Sequence, residues 1–346
     1  MVAKNSSVGG TRNSSLEFYR IIATFTVLVV HFNGWFVDIP ERFDFSHIAL
    51  SRIGQMIIEA ATIICVNMFV LISGYFGIKL RLSSVIKLCL LLALIYVPFY
   101  ILSTIVLGWP FSVATLLGRF FVVSSAGYFI QCYIMLMFFS PVLNAFVEKY
   151  GKKVLPWTIV FIVIEFWFGC VRNIDNFGFN GGYSLIHFVL VYMIARCLAL
   201  YKEQLIDVPK YLWILGYVAC TFVICLMYLT GVRFTFHYSN PIVIMSSICS
   251  FVPFLYYNYY SKTLNWIAGG TLAVYIIQVT EPVHGILIKS DRYLLENYNY
   301  LMYLMLGALV LIMTFIVGVL YHKIAISLVE PIVKKMIPVI EKYKMS

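Results

Sequence analysis

Residues 16–37 read LEFYRIIATFTVLVVHFNGWFV, an apolar stretch long enough to cross a lipid bilayer as a single helix. It nevertheless contains Glu17, Arg20 and His31, and ionisable side chains inside a membrane span are costly enough to indicate a function. Arg20 and His31 are eleven positions apart, about three turns at ~3.6 residues per turn, so they share one helix face with Thr24. This polar stripe predicts the wall of a groove or tunnel, with His31 as the leading candidate for chemistry.

The composition indicates an all-α, polytopic integral membrane protein. Of the 346 residues, 62% are hydrophobic and only 12% are charged, and the mean hydropathy is +0.92, which excludes a soluble globular domain. A net charge of +10 could suggest a nucleic-acid partner, but the preference for Lys and Arg in cytosolic loops explains it more simply. The eight cysteines contain no CxxC pair and no nearby His at metal-ligand spacing. We therefore expect neither a disulfide framework, nor a metal site, nor nucleic-acid binding.

Apolar segments recur along the chain and predict about ten transmembrane helices. The segment 109–127 is apolar but interrupted by Pro110, Gly118 and Arg119, so we expect it to lie in the membrane interface or to re-enter the membrane. The predicted spans are 16–37, 53–78, 85–108, 128–147, 154–171, 184–201, 211–230, 240–258, 266–288 and 300–321.

The distribution of Lys and Arg predicts that both termini are cytosolic. With the N-terminus inside, seventeen of these residues fall on the cytosolic side, and seven lie in outside loops: Arg42, Arg52, Arg119, Arg172, Arg233, Lys289 and Arg292. Arg196 lies inside a predicted span. The chain then divides into a cytosolic tail (1–15), a membrane domain (16–322) and a basic amphipathic tail on the inner leaflet (323–346).

Several motifs, taken in order, resemble the membrane-bound acyltransferase-3 family, whose members O-acylate bacterial surface glycans. The resemblance covers nearly the whole chain and implies a protein of the bacterial cell membrane that uses acyl-CoA, with His31 as the essential histidine and Arg20 as its partner. The motifs are the Arg20-x10-His31 spacing, MFVLISGYFGIKL (68–80, with Ser73, Gly74 and Tyr75), GYFIQCYIMLMFFSPVLNAF (127–146), NGGYSLIHFVLVYMIARCLALY (180–201), SNPIVIMSSICSF (239–251) and TLAVYIIQ (271–278).

The chain departs from the family pattern in the ninth predicted span. Many relatives place a histidine after the Tyr-Leu-Ile run of this span, whereas this chain has Gln278 there and His284 two turns later. A second histidine role at this position is therefore in doubt.

A basic cluster is the candidate site for the acyl donor. Arg20 could form, with Lys79, Arg81 and Lys87 of the next inside loop, a basic mouth suited to the phosphates of coenzyme A. Ordinary anchoring of Arg20 at the membrane interface is the alternative. Two hydroxyls at the end of the second span, those of Ser73 and Tyr75, could line a path for pantetheine, or could belong to a packing motif bonded to the backbone.

Carboxylates near His31 are the candidates for orienting it. Glu17 is spaced to pair with Arg20 on the helix surface. Glu59, Glu165 and Glu281 lie in or near predicted spans, where a carboxylate needs a partner. Glu59 is the first choice because consecutive spans are usually neighbours, and Glu281 is the second.

The start of the sixth span is the candidate site for a carbohydrate acceptor. Tyr183, Ser184 and His187 would meet an acceptor from outside, although His187 could instead be a satisfied histidine between helices. Sugar rings would stack on aromatic residues of the outside loops, namely Trp35, Phe177, Phe179, Phe236 and Tyr238.

These observations predict an O-acyltransferase. It would transfer an acyl group, expected to be acetyl, from cytosolic acyl-CoA to a hydroxyl of an exported polysaccharide or a lipid-linked oligosaccharide. His31 would act as general base or would carry the acyl group transiently; a histidine bonded to a neighbouring helix is the alternative. A transporter or flippase of a lipid-linked saccharide is the main rival function, and a glycan polymerase is another. The oligomeric state is left open.

Overall fold

A computed structural model shows the fold and describes residues 13–35, 39–40, 42–46, 48–120, 127–172, 174 and 178–344. Throughout these ranges the regular elements are helices and there is no strand, which confirms the all-α prediction. Residues 1–12 of the predicted N-terminal tail lie outside the described residues. The α-helices are α1 (Ser14–Val30), α2 (Leu50–Thr62), α3 (Cys65–Phe76), α4 (Leu82–Val106), α5 (Val113–Phe120), α6 (Tyr128–Tyr150), α7 (Val154–Glu165), α8 (Leu185–Leu200), α9 (Lys202–Asp207), α10 (Lys210–Leu229), α11 (Pro241–Phe251), α12 (Lys262–Ala268), α13 (Thr271–Gln278), α14 (Val283–Asn297) and α15 (Tyr300–Lys344).

The predicted count of ten spans is not confirmed. Six helices of the described chain are long and apolar enough to cross a membrane, or seven if α12–α13 and α14, bent by 78°, form one broken span. Two predicted spans are shorter helices, Leu185–Leu200 and Pro241–Tyr256, and about 20 residues are needed to cross the hydrocarbon core. Two others share the helical run Tyr128–Val171, which is interrupted by a 3-10 turn at Gly151–Lys153.

Two further regions add detail to the predicted segments. The segment 109–127, expected at the membrane interface, contains the short helix α5. The backbone N–H of Ser112, just before α5, donates to Tyr100 Oη at 2.9 Å. The last predicted span and the C-terminal tail form one continuous helix, α15. The predicted boundary at residue 323 is therefore not marked by a break in the helix.

Helix α1 is fixed at its N-terminus by polar contacts. The Asn13 side chain accepts from the Ser15 backbone N–H at 3.0 Å, which caps the helix. Ser14 Oγ accepts from the backbone N–H of Ser261 at 2.6 Å and donates to Asn265 Oδ1 at 2.9 Å. Ser15 Oγ donates to the carbonyl of Phe254 at 2.8 Å. These bonds hold the start of α1 against the segment that leads into α12.

The other end of α1 changes its helical geometry. Residues His31–Trp35 form a π-helical turn directly after α1. The wider turn rotates the side chains that follow relative to a regular α-helix, and such π turns are frequent at functional sites. The turn begins at the residue that the sequence identifies as the candidate for chemistry.

Helices α3 and α8 pack closely because Gly74 has no side chain. A Cβ at Gly74 would lie 2.7 Å from Ala195 Cβ and 2.9 Å from the carbonyl oxygen of Tyr192. Only glycine permits this approach of the two backbones. Gly74 therefore sets the distance between α3 and α8.

Candidate active site

A cavity of about 1340 Å³ lies at the end of the bundle where α1 becomes the π turn. Its wall combines apolar side chains with histidine, glutamate, tyrosine and arginine from segments far apart in sequence. Such a concave site with a few converging polar groups is typical of small-molecule binding. The polar and aromatic lining residues include His31, Arg42, Glu59, Tyr128, Arg172, Tyr183, Tyr228, Arg233, His237, Tyr238 and Tyr275.

His31 is the first residue of the π turn and lines this cavity. Its backbone N–H donates to the carbonyls of Val27 and Leu28, so its position is set by the end of α1. The side chain of Gln278, at the end of α13, and His284 on α14 both lie close enough to the imidazole to interact with it. The residue that departs from the family pattern therefore contacts the candidate catalytic histidine.

Glu59 on α2 is held against the same π turn. Asn33 Nδ2 donates to Glu59 Oε2 and to the carbonyl of Gln55, each at 3.0 Å. A Cβ at Gly34 would lie only 2.7 Å from Glu59 Oε2, so the backbone of the turn packs on the carboxylate. Glu59 is buried and lines the cavity. The structure thus brings together His31 and the first-choice carboxylate.

Arg20 lies at the opposite end of α1 and forms the predicted ion pair. Arg20 Nη1 and Glu17 Oε2 are 2.6 Å apart, and Thr24 Oγ1 donates to the Arg20 carbonyl at 3.0 Å. The ring of Phe251 lies 5.3 Å from that of Tyr19 and 5.5 Å from that of Tyr75. Arg20 and the end of α3 therefore lie at the same end of the bundle.

The cavity lining on α1 begins at Val27, and Ala23 and Thr24, between Arg20 and Val27, are fully buried. Three aromatic rings of the cavity wall pack together: Phe129 lies 5.8 Å from Phe69 and 5.1 Å from Tyr275. The groove or tunnel expected along α1 stays a prediction.

Residues 13–323 match the family model described as an acyltransferase domain, that of the acyltransferase-3 family. The chain belongs to this family. Comparisons with curated proteins and with solved structures gave no match. The predicted resemblance is confirmed, and together with the apolar helices it establishes a multi-pass membrane acyltransferase.

The other two candidate carboxylates of the acyltransferase lie outside the cavity lining. Glu281 Oε2 accepts from the Gly285 backbone N–H at 3.1 Å and so satisfies a donor in the first turn of α14. Glu165 is fully buried and lies 3.1 Å from Nδ1 of His187. Of the three, Glu59 is the carboxylate that lines the same cavity as His31.

His187 belongs to a buried polar network rather than to the cavity wall. Asn67 Nδ2 donates to the carbonyl of Tyr238 at 3.2 Å, so Asn67 Oδ1 faces His187 Nε2 at 2.8 Å and accepts the hydrogen bond that the Nε2–H donates. Nδ1 then shares a proton with Glu165. The interpretation as a satisfied histidine between helices describes this position, and the network anchors the loop that carries Tyr238.

The two neighbouring acceptor candidates have different positions. Ser184 caps α8, since its Oγ accepts from the His187 backbone N–H at 3.3 Å. Tyr183 lines the cavity, with its ring 4.9 Å from Tyr128 and 4.8 Å from Tyr238. Burial raises the pKa of the Tyr238 hydroxyl well above its usual range, so this group stays a hydrogen-bond donor at neutral pH.

The aromatic residues predicted to stack on sugar rings also differ in whether they line the cavity. Phe236 and Tyr238 line the cavity, whereas Phe179 is buried elsewhere and its ring stacks on Phe168. Phe177 and the side chain of Trp35 lie outside the described residues.

His237 is a cavity residue that the sequence analysis missed. Its ring packs on Gly181, where a Cβ would lie 3.0 Å from Nδ1, and it lines the cavity. Burial lowers the pKa of His237, so the ring is uncharged at neutral pH. A single histidine in a loop between two apolar segments carries no periodicity that could have identified it.

The residues expected to bind the acyl donor do not all form one site. Lys79 and Arg81 are exposed after α3, whereas Lys87 forms an ion pair with Glu330 of α15 at 3.1 Å. Ser73 Oγ donates to the carbonyl of Phe69 at 3.0 Å, as the packing alternative predicts. Arg196, which the sequence left as a span residue, donates from Nη1 to the carbonyl of Tyr75 at 3.2 Å and so holds the end of α3.

Proposed function

We propose that this acyltransferase moves an acyl group, expected to be acetyl, from acyl-CoA to a hydroxyl of a cell-surface or exported polysaccharide. The observation that carries the proposal is His31 in the wall of a large cavity that is also lined by tyrosine, phenylalanine and arginine side chains. Aromatic faces and hydroxyl donors suit a sugar ring, and an imidazole beside the ring can accept a proton from its hydroxyl.

His31 has two chemical options in this reaction. As a general base, it takes the proton of the acceptor hydroxyl while that oxygen attacks the thioester carbonyl carbon. The C–O bond forms, the C–S bond breaks, and the imidazolium returns the proton to the leaving thiolate. As a nucleophile, His31 would first carry the acyl group itself and then release it to the hydroxyl. Both routes yield one ester and one free coenzyme A thiol.

Glu59 and Gln278 are positioning residues for His31. Asn33 fixes Glu59 against the π turn that begins with His31, and a carboxylate in this cavity would favour the charged imidazolium that forms during proton transfer. Gln278 lies near the imidazole, where a hydrogen bond from its side chain would restrict rotation of the ring. A ring held in one orientation toward the cavity is positioned for proton transfer.

The donor approaches from the Arg20 end. Lys79 and Arg81 are exposed there and are suited to the phosphates of coenzyme A. Lys and Arg are in excess in the segments at the Arg20 end of the bundle. This excess supports the proposal that the Arg20 end and both chain termini face the cytosol.

A cellular experiment tests the proposal. Ester-linked acetyl on purified surface polysaccharide is measured by proton NMR in wild-type cells, in a deletion strain, and in strains with His31→Ala or Thr26→Ala. Thr26 is the matched control, because it lies on the same helix and its hydroxyl donates to the Ile22 carbonyl at 2.9 Å, away from the cavity. Protein abundance is followed by immunoblot.

We expect His31→Ala to lower acetyl to the level of the deletion strain, and Thr26→Ala to keep it near wild type. Full acetylation in His31→Ala cells would refute the role of His31. A deletion strain with unchanged acyl esters but altered polysaccharide export would refute the acyltransferase reaction on glycans and favour the transport alternative.

A further inference from the structure

We propose that the acceptor is anionic, and that Arg42, Arg172 and Arg233 bind a carboxylate or phosphate group of the saccharide whose hydroxyl reaches His31. This inference rests on the proposed function, since it names the acceptor class of the same cavity. It concerns binding at the cavity rim, which can be measured without any acyl transfer.

The three arginines come from separate parts of the chain and meet at one cavity. Arg42 lies in the loop before α2, Arg172 follows the π turn Phe166–Val171, and Arg233 lies in the loop between α10 and α11. All three line the cavity and are exposed. Arg42 Nε lies 3.8 Å from the position of a Cβ on Gly231, so its side chain meets the loop that carries Arg233.

None of these three arginines forms a salt bridge with a carboxylate in the part of the chain that the structure describes. Three cations around one cavity mouth repel one another unless an anion joins them. Arginine also presents a planar set of donors that matches a carboxylate or phosphate group. The arrangement therefore favours a ligand that supplies negative charge at the rim.

The charges inside the cavity indicate how such a ligand would be oriented. Glu59 lies buried beside the π turn that begins with His31, and a buried acidic group there disfavours an anion next to it. Tyr183, His237 and Tyr238 line other parts of the cavity and are uncharged at neutral pH. The charged group of the acceptor would therefore stay at the arginines, while a neutral hydroxyl approaches His31.

Binding to the full-length protein in phosphatidylcholine nanodiscs tests this inference without acyl-CoA. The probes are trigalacturonic acid, its fully methyl-esterified and therefore neutral form, and inorganic pyrophosphate; dissociation constants come from isothermal titration calorimetry. We expect trigalacturonic acid or pyrophosphate to bind at least about tenfold more tightly than the neutral ester, as charge-assisted contacts to several arginines allow. Added salt should weaken the binding.

Two sets of variants locate the bound charge. The triple change Arg42→Gln, Arg172→Gln and Arg233→Gln should remove the preference for the anions, and the matching triple change to Lys should keep most of it. Arg119→Gln is the control, because Arg119 carries the same charge on α5 but does not line the cavity. Melting temperature and size-exclusion profile establish that each variant is folded; if the Gln triple is not, the three single Gln variants replace it.

Equal affinity for the neutral and charged probes would overturn the inference, and so would an equal loss in Arg119→Gln. The stronger of the two anions identifies a carboxylate-bearing glycan or a phosphate-linked one as the acceptor. Competition by phosphatidylglycerol in the nanodisc would assign the arginines to lipid headgroups and would also overturn it. If anions bind as expected but the cellular experiment shows no acyl transfer, the proposed function fails while the anion site stands.

Discussion

The two ends of the helical bundle differ in how their polar side chains are used. At the Arg20 end, two cations are paired within the protein, Arg20 with Glu17 and Lys87 with Glu330, and Lys79 and Arg81 are exposed. At the His31 end, the polar side chains surround a cavity of about 1340 Å³. Ion pairs and exposed surface cations are typical of an anchored surface, whereas a lined cavity is typical of a binding site.

The two ends of α1 have different roles: one end is fixed by packing, and the other carries the candidate reacting groups. Helix α1 begins among hydrogen bonds to the segment before α12 and ends in the π turn that carries His31. The proposed reaction, with donor and acceptor on opposite sides of a membrane, would need such a division. A rigid end fixes the helix, and the opposite end can hold the reacting groups.

After the loss of His31 itself, the largest expected effect concerns the carboxylate at the cavity. Glu59→Gln should lower kcat for acyl transfer by about 100-fold, or ~2.7 kcal/mol of transition-state stabilisation, because an amide in the cavity wall cannot carry the charge that would balance the imidazolium of His31. Glu281→Gln is the matched control, since Glu281 accepts a bond from Gly285 and does not line the cavity. Steady-state kinetics of the two purified variants checks this, and equal losses in both would contradict the assignment of Glu59.

The packed end should tolerate added volume less well than the open end. Gly74→Ala should lower the free energy of unfolding by about 1–3 kcal/mol, because the new methyl overlaps Ala195 and the backbone of Tyr192. Gly127→Ala should have little effect, since no atom lies within 4 Å of its Cβ position. Melting temperatures of the purified proteins measure both changes. A larger drop for Gly127→Ala would show that the cavity end is the tightly packed one.

The smallest expected effect concerns the exposed cations near the Arg20 end. The double change Lys79→Gln and Arg81→Gln should raise KM for acetyl-CoA about threefold with kcat unchanged, because exposed charge contacts contribute about 0.2–1 kcal/mol each. Lys149→Gln, at the end of α6, is the control for a general loss of positive charge. A fall in kcat without a change in KM would place the donor elsewhere.

The sequence predicted the parts of the site that lie on one helix or on neighbouring helices. Arg20 and His31 could be placed on one face of α1 from their spacing alone, because helical periodicity fixes that relation. Glu59 followed from the rule that consecutive spans are usually neighbours. The all-helical class followed from composition. These inferences need only local geometry or the order of the chain.

The remaining features depend on tertiary structure. Arg42, Arg172 and Arg233 are separated by long stretches of sequence, and only the packed bundle brings them to one cavity. His237 lies in a loop without periodicity, and the contact of Gln278 with His31 requires α13 to lie beside α1. The number of spans could not be predicted either, because short and bent helices have the same apolar composition as full spans.

Thioester cleavage by the purified protein tests the central claim, that chemistry occurs at the His31 end of α1. Release of free thiol from acetyl-CoA is followed for wild type, His31→Ala and Thr26→Ala in matched detergent micelles. We predict that His31→Ala lowers the rate about 1000-fold, the order expected for loss of a general base or nucleophile, while Thr26→Ala stays near wild type. A folded His31→Ala protein that releases thiol at the wild-type rate would contradict this account.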